Sequence, residues 1–366
     1  MKIAILTIPP RMNFGGILQM YALQNVLERK GHEVVILDKP HKRKLPLNRI
    51  FLAYFKRFVC KFFLRKKIRI FEEHYFNKTY PIVSKNIKKF VDEHLHLRIE
   101  KNLYKIKPSD YDAFVVGSDQ IWRKQYNRDI KNSFLYFARR WNVKRYAYAA
   151  SFGIDEWDYS KKETEICSNL LKKFDYVSVR EVSGEKLCEK YLDVHACLAL
   201  DPTLLLTSKD YLRLVKNDSI EKYKGCLVCY ILDDNKDKKL LVQKVSKTLN
   251  IRPLYINAKW NSDAPISERI QPSVELWLAA FAGADFVVTD SFHGTVFSII
   301  FKKNFFTIAN ASRGTARMES LLSMFGLNDR LIENVEKLNF SQTCANYELF
   351  EQKKNESLNL IEKIAN

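Results

Sequence analysis

The chain has 366 residues, 46% of them hydrophobic and 13% aromatic, and a formal net charge of +19. That length exceeds the ~250–300 residues at which a single core stops growing, so two domains are expected, and the aromatic content excludes a disordered chain. The charge calls for an acidic partner, and it is concentrated: eleven cations (Lys42, Arg43, Lys44, Arg49, Lys56, Arg57, Lys61, Arg65, Lys66, Lys67 and Arg69) stand between His41 and Arg69 without one Asp or Glu.

The chain opens on a strand-like run, MKIAILTI, and no apolar stretch reaches the ~18 residues of a membrane span, so a cytoplasmic protein is expected. NFGG then leads into an amphipathic helix with Leu18, Ala22, Val26 and Leu27 inward, ended by Gly31, and HEVVILD is the next strand. Such a β-loop-α-β unit builds a parallel sheet. Asn13, Gly15 and Gly16 sit where backbone N–H groups can face an anion or a sugar. Asp38 stands where a dinucleotide site keeps its ribose-binding acid, but the glycine fingerprint is missing, which argues against NAD. In the basic segment, Phe51, Phe55, Phe58 and Phe62 recur at helical spacing and predict a helix over about 48–67. Two accounts of it stay open: a helix anchored in the core by its phenylalanines, or one that docks on an anionic membrane or on nucleic acid. His94 and His96 have no neighbouring ligand cluster and read as surface residues.

YDAFVVGSDQIW predicts a strand ending at Gly117, Ser118 and Asp119, where ligands of parallel sheets bind. Asp119 can serve a hydroxyl or cap a helix, and Trp122 can stack on a sugar or fill the core. RYAYAASFG and FDYVSVRE are further strands, the second ending in Arg180 and Glu181, either an anion-binding fork or a structural salt bridge. VSGEKLCEKYL is a helix, and ACLALDPTLLL closes the half.

The pattern then restarts. GCLVCYIL is a buried strand whose Cys226 and Cys229 point to opposite faces, and the seven cysteines have no disulfide spacing. KDKKLLVQKVSKTLN is a helix, RPLYIN a strand and SVELWLAAFAGA a helix, followed by the strand DFVVTD, the turn SFHG and a further helix. Of seven histidines only His293 occupies such a strand-turn-helix junction, where a helix start favours anions and an imidazole can move a proton. Downstream, Arg313 and Arg317 are cations about one turn apart, and the closing segment is a helix. The expected organisation is α/β: a Rossmann-like domain over residues 1–206 with a basic insertion at about 41–70, a second Rossmann-like domain over 207–340 facing it, and a C-terminal helix over 341–366 that packs back on the first. No Walker loop, zinc motif or nucleophile elbow is present, so neither a metal nor a bound cofactor is expected.

NFGGILQMYALQNVLERKGHEVVILD, FVVGSDQIW, YAASFG, SVREVSGEKL, LDPTLLL and VVTDSFHGTVFSIIF, in this order, resemble the polysaccharide pyruvyl transferase family. The likeness runs in blocks over roughly residues 2–326 and leaves out the basic segment and about the last forty residues. It implies a GT-B-like fold and transfer of the pyruvyl group of phosphoenolpyruvate, as co-substrate, to two hydroxyls of one sugar of a cell-surface polysaccharide precursor such as a capsule or exopolysaccharide. It further implies acceptors that are often carried on lipid. Arg180 and His293 resemble its donor-site motifs. With them the donor side is expected at Ser291, Phe292, Gly294, Thr295, Arg313 and Arg317, and the acceptor side at Asn13, Gly15, Gly16, Gly117, Ser118, Asp119 and Trp122. The rival readings are a nucleotide-sugar glycosyltransferase and a basic protein that binds a membrane or nucleic acid.

Overall fold

A computed structural model gives the fold and describes every residue except 41, 128, 260–262, 310–314, 334, 337, 341–345 and 366. Strands β1 (Lys2–Leu6), β2 (Glu33–Asp38), β3 (Leu97–Ile99), β4 (Ala113–Gly117), β5 (Lys144–Ala150), β6 (Tyr176–Val179) and β7 (Cys197–Leu198) form a seven-stranded sheet in the order β3-β2-β1-β4-β5-β6-β7. Strands β8 (Cys226–Tyr230), β9 (Arg252–Tyr255), β10 (Phe286–Thr289), β11 (Asn304–Ile308) and β12 (Leu331–Ile332) form a second in the order β12-β11-β10-β8-β9. Every pairing is parallel. Parallel sheets carry helices on both faces, so their inner strands read as unbroken apolar runs; β4 and β8 are buried along their whole length. This is the doubly wound architecture expected. The strands β3, β7 and β12 escaped the sequence reading because two or three residues at a sheet edge leave no periodicity to read.

Strand order reverses between β1 and β4 in the first sheet and between β8 and β10 in the second. A doubly wound sheet opens a crevice at that point, beyond the C-terminal ends of its strands. The helix Phe14–Arg29, which follows β1, ties the two sheets together. Its Phe14 ring stacks on Trp277 with centroids 5.5 Å apart and meets Tyr230 edge-on at 6.3 Å. One buried core runs through both halves. The C-terminal helix Tyr347–Ala365 lies against the first half: Ile361 and Ile364 are buried in that core, the Leu200 amide donates to Ser357 Oγ at 3.0 Å, and Lys30 pairs with Glu362 at 2.6 Å.

Between β2 and β3 the chain forms the helices Leu47–Phe62, Glu72–Val83 and Lys85–His94. The first ends five residues before the expected 67. The stretch read as mixed and polar is helical because Ile87, Phe90 and Val91, at positions i, i+3 and i+4, reach the core. Cys226 and Cys229 are buried free thiols within β8, and burial pushes that of Cys229 up to about 12, away from the range of a reactive thiolate. Among the described residues no helix is long and apolar enough to cross a membrane.

Candidate active site between the two sheets

The two crevices face each other, and a cavity of about 700 Å³ lies between them. Residues 8–13 and Gly16 line it beyond β1, Asp119 and Gln120 beyond β4, Tyr230, Leu232 and Asp233 beyond β8, and Asp290, Ser291, Phe292 and His293 beyond β10. Arg317 closes it. All four strand ends that flank the reversals contribute to one site.

His293 is the second residue of the helix Phe292–Ile300, where backbone N–H groups lack intrahelical acceptors. Ser291 caps this helix, its Oγ accepting from the Gly294 amide at 3.3 Å. The imidazole is gripped closely. A Cβ on Gly15 would lie 2.0 Å from His293 Nδ1, so only glycine lets the Phe14–Arg29 helix approach this ring. His293 Nε2 stands 3.6 Å from Asp201 Oδ2 and has no hydrogen-bond partner among the described residues.

Asp201 is the residue that the sequence reading passed over. Its only cue was a lone carboxylate before a proline in the apolar run ACLALDPTLLL. Its Oδ1 accepts from the Thr203 amide at 3.1 Å and from Thr203 Oγ1 at 2.7 Å; its Oδ2 accepts from Arg180 Nη1 at 2.8 Å and from Ser118 Oγ at 3.2 Å. Arg180 Nη2 donates to Asp119 Oδ1 at 3.1 Å, and Arg180 Nε lies 3.8 Å from Glu181 Oε2. Arg180 and His293, drawn from different halves, thus meet on one carboxylate oxygen. Asp119 holds a left-handed φ of 57°, a conformation Asp tolerates better than most residues and one that favours turns at functional sites.

Burial alone would raise the carboxyls of Asp119 and Asp201, but nearby cations outweigh it and hold both below the usual range, Asp119 through Arg180, His293 and Arg317, Asp201 through His293 and Arg180. Burial, and then repulsion from Arg180, lowers the Arg317 guanidinium to about 10. Both guanidiniums lie over the Phe292 ring, Arg180 at 4.7 Å and Arg317 at 5.5 Å from its centroid. Arg317 borders the cavity, whereas the Arg180 side chain is 1% exposed and works behind the wall.

The depressed carboxyls have a consequence for acid stability. A carboxylate whose folded pKa lies below its unfolded value stabilises the fold fully above about pH 4 and loses that contribution as pH falls toward the folded value. The unfolding midpoint should therefore fall as pH drops from 5 toward 2. Asp201→Asn, scanned over the same range, should show a shallower decline, and parallel curves would remove Asp201 from the account.

Several expected site residues have structural duties instead. Trp122 is not an acceptor platform: it is fully buried, stacked on Phe134 at 4.9 Å, its indole N–H donating to the Ser133 carbonyl. A Cβ on Gly117 would come 2.7 Å from Leu23, so this glycine lets the helix pack on β4, and Ser118 is buried against Asp201. Gly294 presses on β10, where a Cβ would stand 2.2 Å from Thr289 Oγ1, and Thr295 bonds inward to Thr307 Oγ1 at 2.8 Å. Asn13, Gly16, Asp119, Ser291, Phe292, His293 and Arg317 do border the cavity. Arg313 lies outside the described residues.

Two further features were not foreseen. Asp290 clamps the cavity wall: its carboxylate accepts from the Leu232 amide at 2.7 Å, the Asp233 amide at 3.1 Å and buried Lys238 Nζ at 2.6 Å. His94, read as isolated, is joined by Glu93 and by Glu275, remote in sequence, with ligand atoms within 4.8 Å of one another. These three could hold a cation, but none of them borders the cavity.

A sequence model of the family described as "Polysaccharide pyruvyl transferase" matches residues 13–312. No curated protein matches the chain. Among solved structures, the UDP-GlcNAc 2-epimerase from Methanocaldococcus jannaschii superposes with a TM-score of 0.53 at 14% identity, covering 100% of this chain and 99% of the other. A glycosyltransferase from Rickettsia africae does so with a TM-score of 0.52 at 11% identity, covering 99% and 93%. At such identities the likeness is one of fold, the two-domain GT-B kind.

Proposed function

The chain belongs to the polysaccharide pyruvyl transferase family, and on that premise we propose that it transfers the pyruvyl group of phosphoenolpyruvate to two hydroxyls of one sugar, in the cytoplasm, on the precursor of a capsule or other cell-surface polysaccharide. The observation that supports this most is the convergence of His293, Arg317 and a helix start on one side of a cavity whose other side carries Asn13, Gly16 and Asp119. A volume of about 700 Å³ suits a small anionic donor together with one sugar ring.

In this reading the helix start and Arg317 hold the phosphate and carboxylate. His293 delivers a proton to the methylene carbon, which leaves C2 electron-poor, and a sugar hydroxyl adds there, its proton passing to the imidazole and restoring it. Phosphate then departs and the second hydroxyl closes the ketal, its proton leaving with phosphate. Asp201 orients the imidazole. Asp119, held as a carboxylate, accepts a hydrogen bond from a hydroxyl.

The test is incubation with phosphoenolpyruvate and short or lipid-linked oligosaccharides. Phosphate release matched by an acid-labile mass gain on the acceptor is the expected result. Release of a nucleoside diphosphate from a nucleotide sugar, with phosphoenolpyruvate untouched, would replace this reading by glycosyl transfer. Activity is expected to survive EDTA, because Asp119, Asp201 and Asp290 are each engaged by a protein cation. A complete, reversible loss would add a metal ion to the mechanism.

A further inference from the structure

The helix Leu47–Phe62 presents an apolar face that no described part of the chain covers; none of its residues is buried. Phe51 is 81% exposed, Phe55 59%, Phe58 44% and Phe62 58%, and Leu47, Phe63 and Leu64 extend the stripe at both ends. The phenylalanines touch one another, with centroids 6.3 Å apart for Phe51 and Phe55 and 4.6 Å for Phe58 and Phe62. The exposure is not looseness. Along its flank the helix is fastened by Arg57, which binds Glu73 through two hydrogen bonds of 2.7 and 2.8 Å, and by Tyr54, edge-on to Phe71 at 5.0 Å. An apolar surface of this kind, held rigidly and rimmed by charge, marks an interaction site.

Charge points to the partner. Of the cations in this segment, Arg57 is held by Glu73 and Arg69 by Asp263. Lys56, Lys61, Arg65, Lys66 and Lys67 are exposed and, among the described residues, pair with no carboxylate. A second copy of the chain fits badly, since a symmetric contact would set this acid-free cationic segment against itself. Nucleic acid meets the charge but not sixteen residues of helix with a continuous Phe and Leu face. A bilayer with anionic headgroups satisfies both.

The position is apt. The segment leaves β2 at its C-terminal end, and β2 runs parallel to β1, whose following residues line the cavity. It also reaches the second half, where Arg69 pairs with Asp263 at 2.8 Å and Arg269 donates to Tyr75 Oη at 2.7 Å. The insertion that carries the helix therefore starts at the end of the sheet where the cavity opens, and bridges to the second half. We propose that the helix Leu47–Phe62 lies in the surface of an anionic bilayer, phenylalanines inward, and holds the cavity mouth toward the membrane.

The test reads binding, not turnover, so it stands or falls apart from the pyruvyl reading. The whole protein is sedimented with phosphatidylglycerol/phosphatidylcholine vesicles and with pure phosphatidylcholine at ~0.1 M salt. It should bind the anionic vesicles and leave the neutral ones largely unbound. Each engaged cation strengthens partition about fivefold, so joint reversal of Lys56, Lys61, Arg65 and Lys66 to Glu should weaken it at least ~100-fold. Arg57 is kept, because it fastens the helix. Phe51→Ser with Phe55→Ser, Phe58→Ser and Phe62→Ser should weaken binding similarly. Should that variant not fold, Phe51→Trp replaces it, and quenching of its emission by brominated lipid supports insertion while unchanged emission overturns it. The proposal is also overturned if the unmodified protein ignores anionic vesicles, if the charge variant binds them equally well, if a DNA duplex competes the protein off the vesicles, or if the protein is a dimer that the serine variant splits.

Discussion

His293→Ala should lower pyruvyl transfer by at least ~100-fold, the loss expected when a positioned proton donor is removed. The geometry supplies two controls. Gly15→Ala keeps the imidazole but places a Cβ where Nδ1 now lies, 2.0 Å away, so the ring or the Phe14–Arg29 helix must shift. A misplaced catalytic group costs nearly as much as a missing one, and Gly15→Ala should show a comparable fall in kcat. His293→Gln retains a hydrogen-bond donor but no titratable proton. It should stay inactive if His293 is the acid, and recover most activity if His293 only binds the anion. Single-turnover phosphate release measures all three, and near-normal release by His293→Ala would reduce the residue to a structural neighbour of Asp201.

Arg180→Ala should be the most destabilising substitution in the site. Arg180 was expected as a fork for the donor, yet its donors are turned on Asp201 and Asp119, with Glu181 beside them. Removing the cation strands buried carboxylates, which costs about 3–5 kcal/mol. At about 2–4 °C per kcal/mol, the melting temperature should fall by roughly 10 °C. Arg180→Met combined with Asp119→Asn, Glu181→Gln and Asp201→Asn removes the charges together and should recover much of the loss, since neutral replacement of a buried ionic cluster is often tolerated. Melting with and without phosphoenolpyruvate separates the two roles. An unchanged melting temperature with abolished turnover would mean that Arg180 leaves its carboxylates to hold substrate.

The residues most legible in the sequence were those at strand ends. His293 and Asp119 follow apolar runs that could only be buried parallel strands, and parallel strands deliver their C-terminal ends to ligands whatever the crossovers between them. Ser291 and Phe292 were carried along by the same turn. Composition misled at Trp122, because an indole after a strand end serves a sugar or a core equally well, and only the Phe134 ring lying flat against it decides. Asp201 was obscured by its setting. It follows β7, two residues long and at the sheet edge, so no strand pattern announced that its carboxylate would reach the site.

The sequence by itself determined the local and the periodic: two doubly wound halves, the helix start at His293, buried Cys226 and Cys229, and a helix striped with phenylalanine and basic residues. These follow from side-chain spacing and turn chemistry, which act over a few residues. Tertiary structure alone decided which charges meet. Arg180, Asp119, Asp201 and His293 come from four segments up to 174 positions apart, and the ionisation of the two carboxyls depends on distances of about 3 Å set by the packing of two sheets. It also decided which side of the Leu47–Phe62 helix faces water. An amphipathic pattern shows that an apolar face exists, but whether the protein's own core covers it depends on what the fold places beneath it.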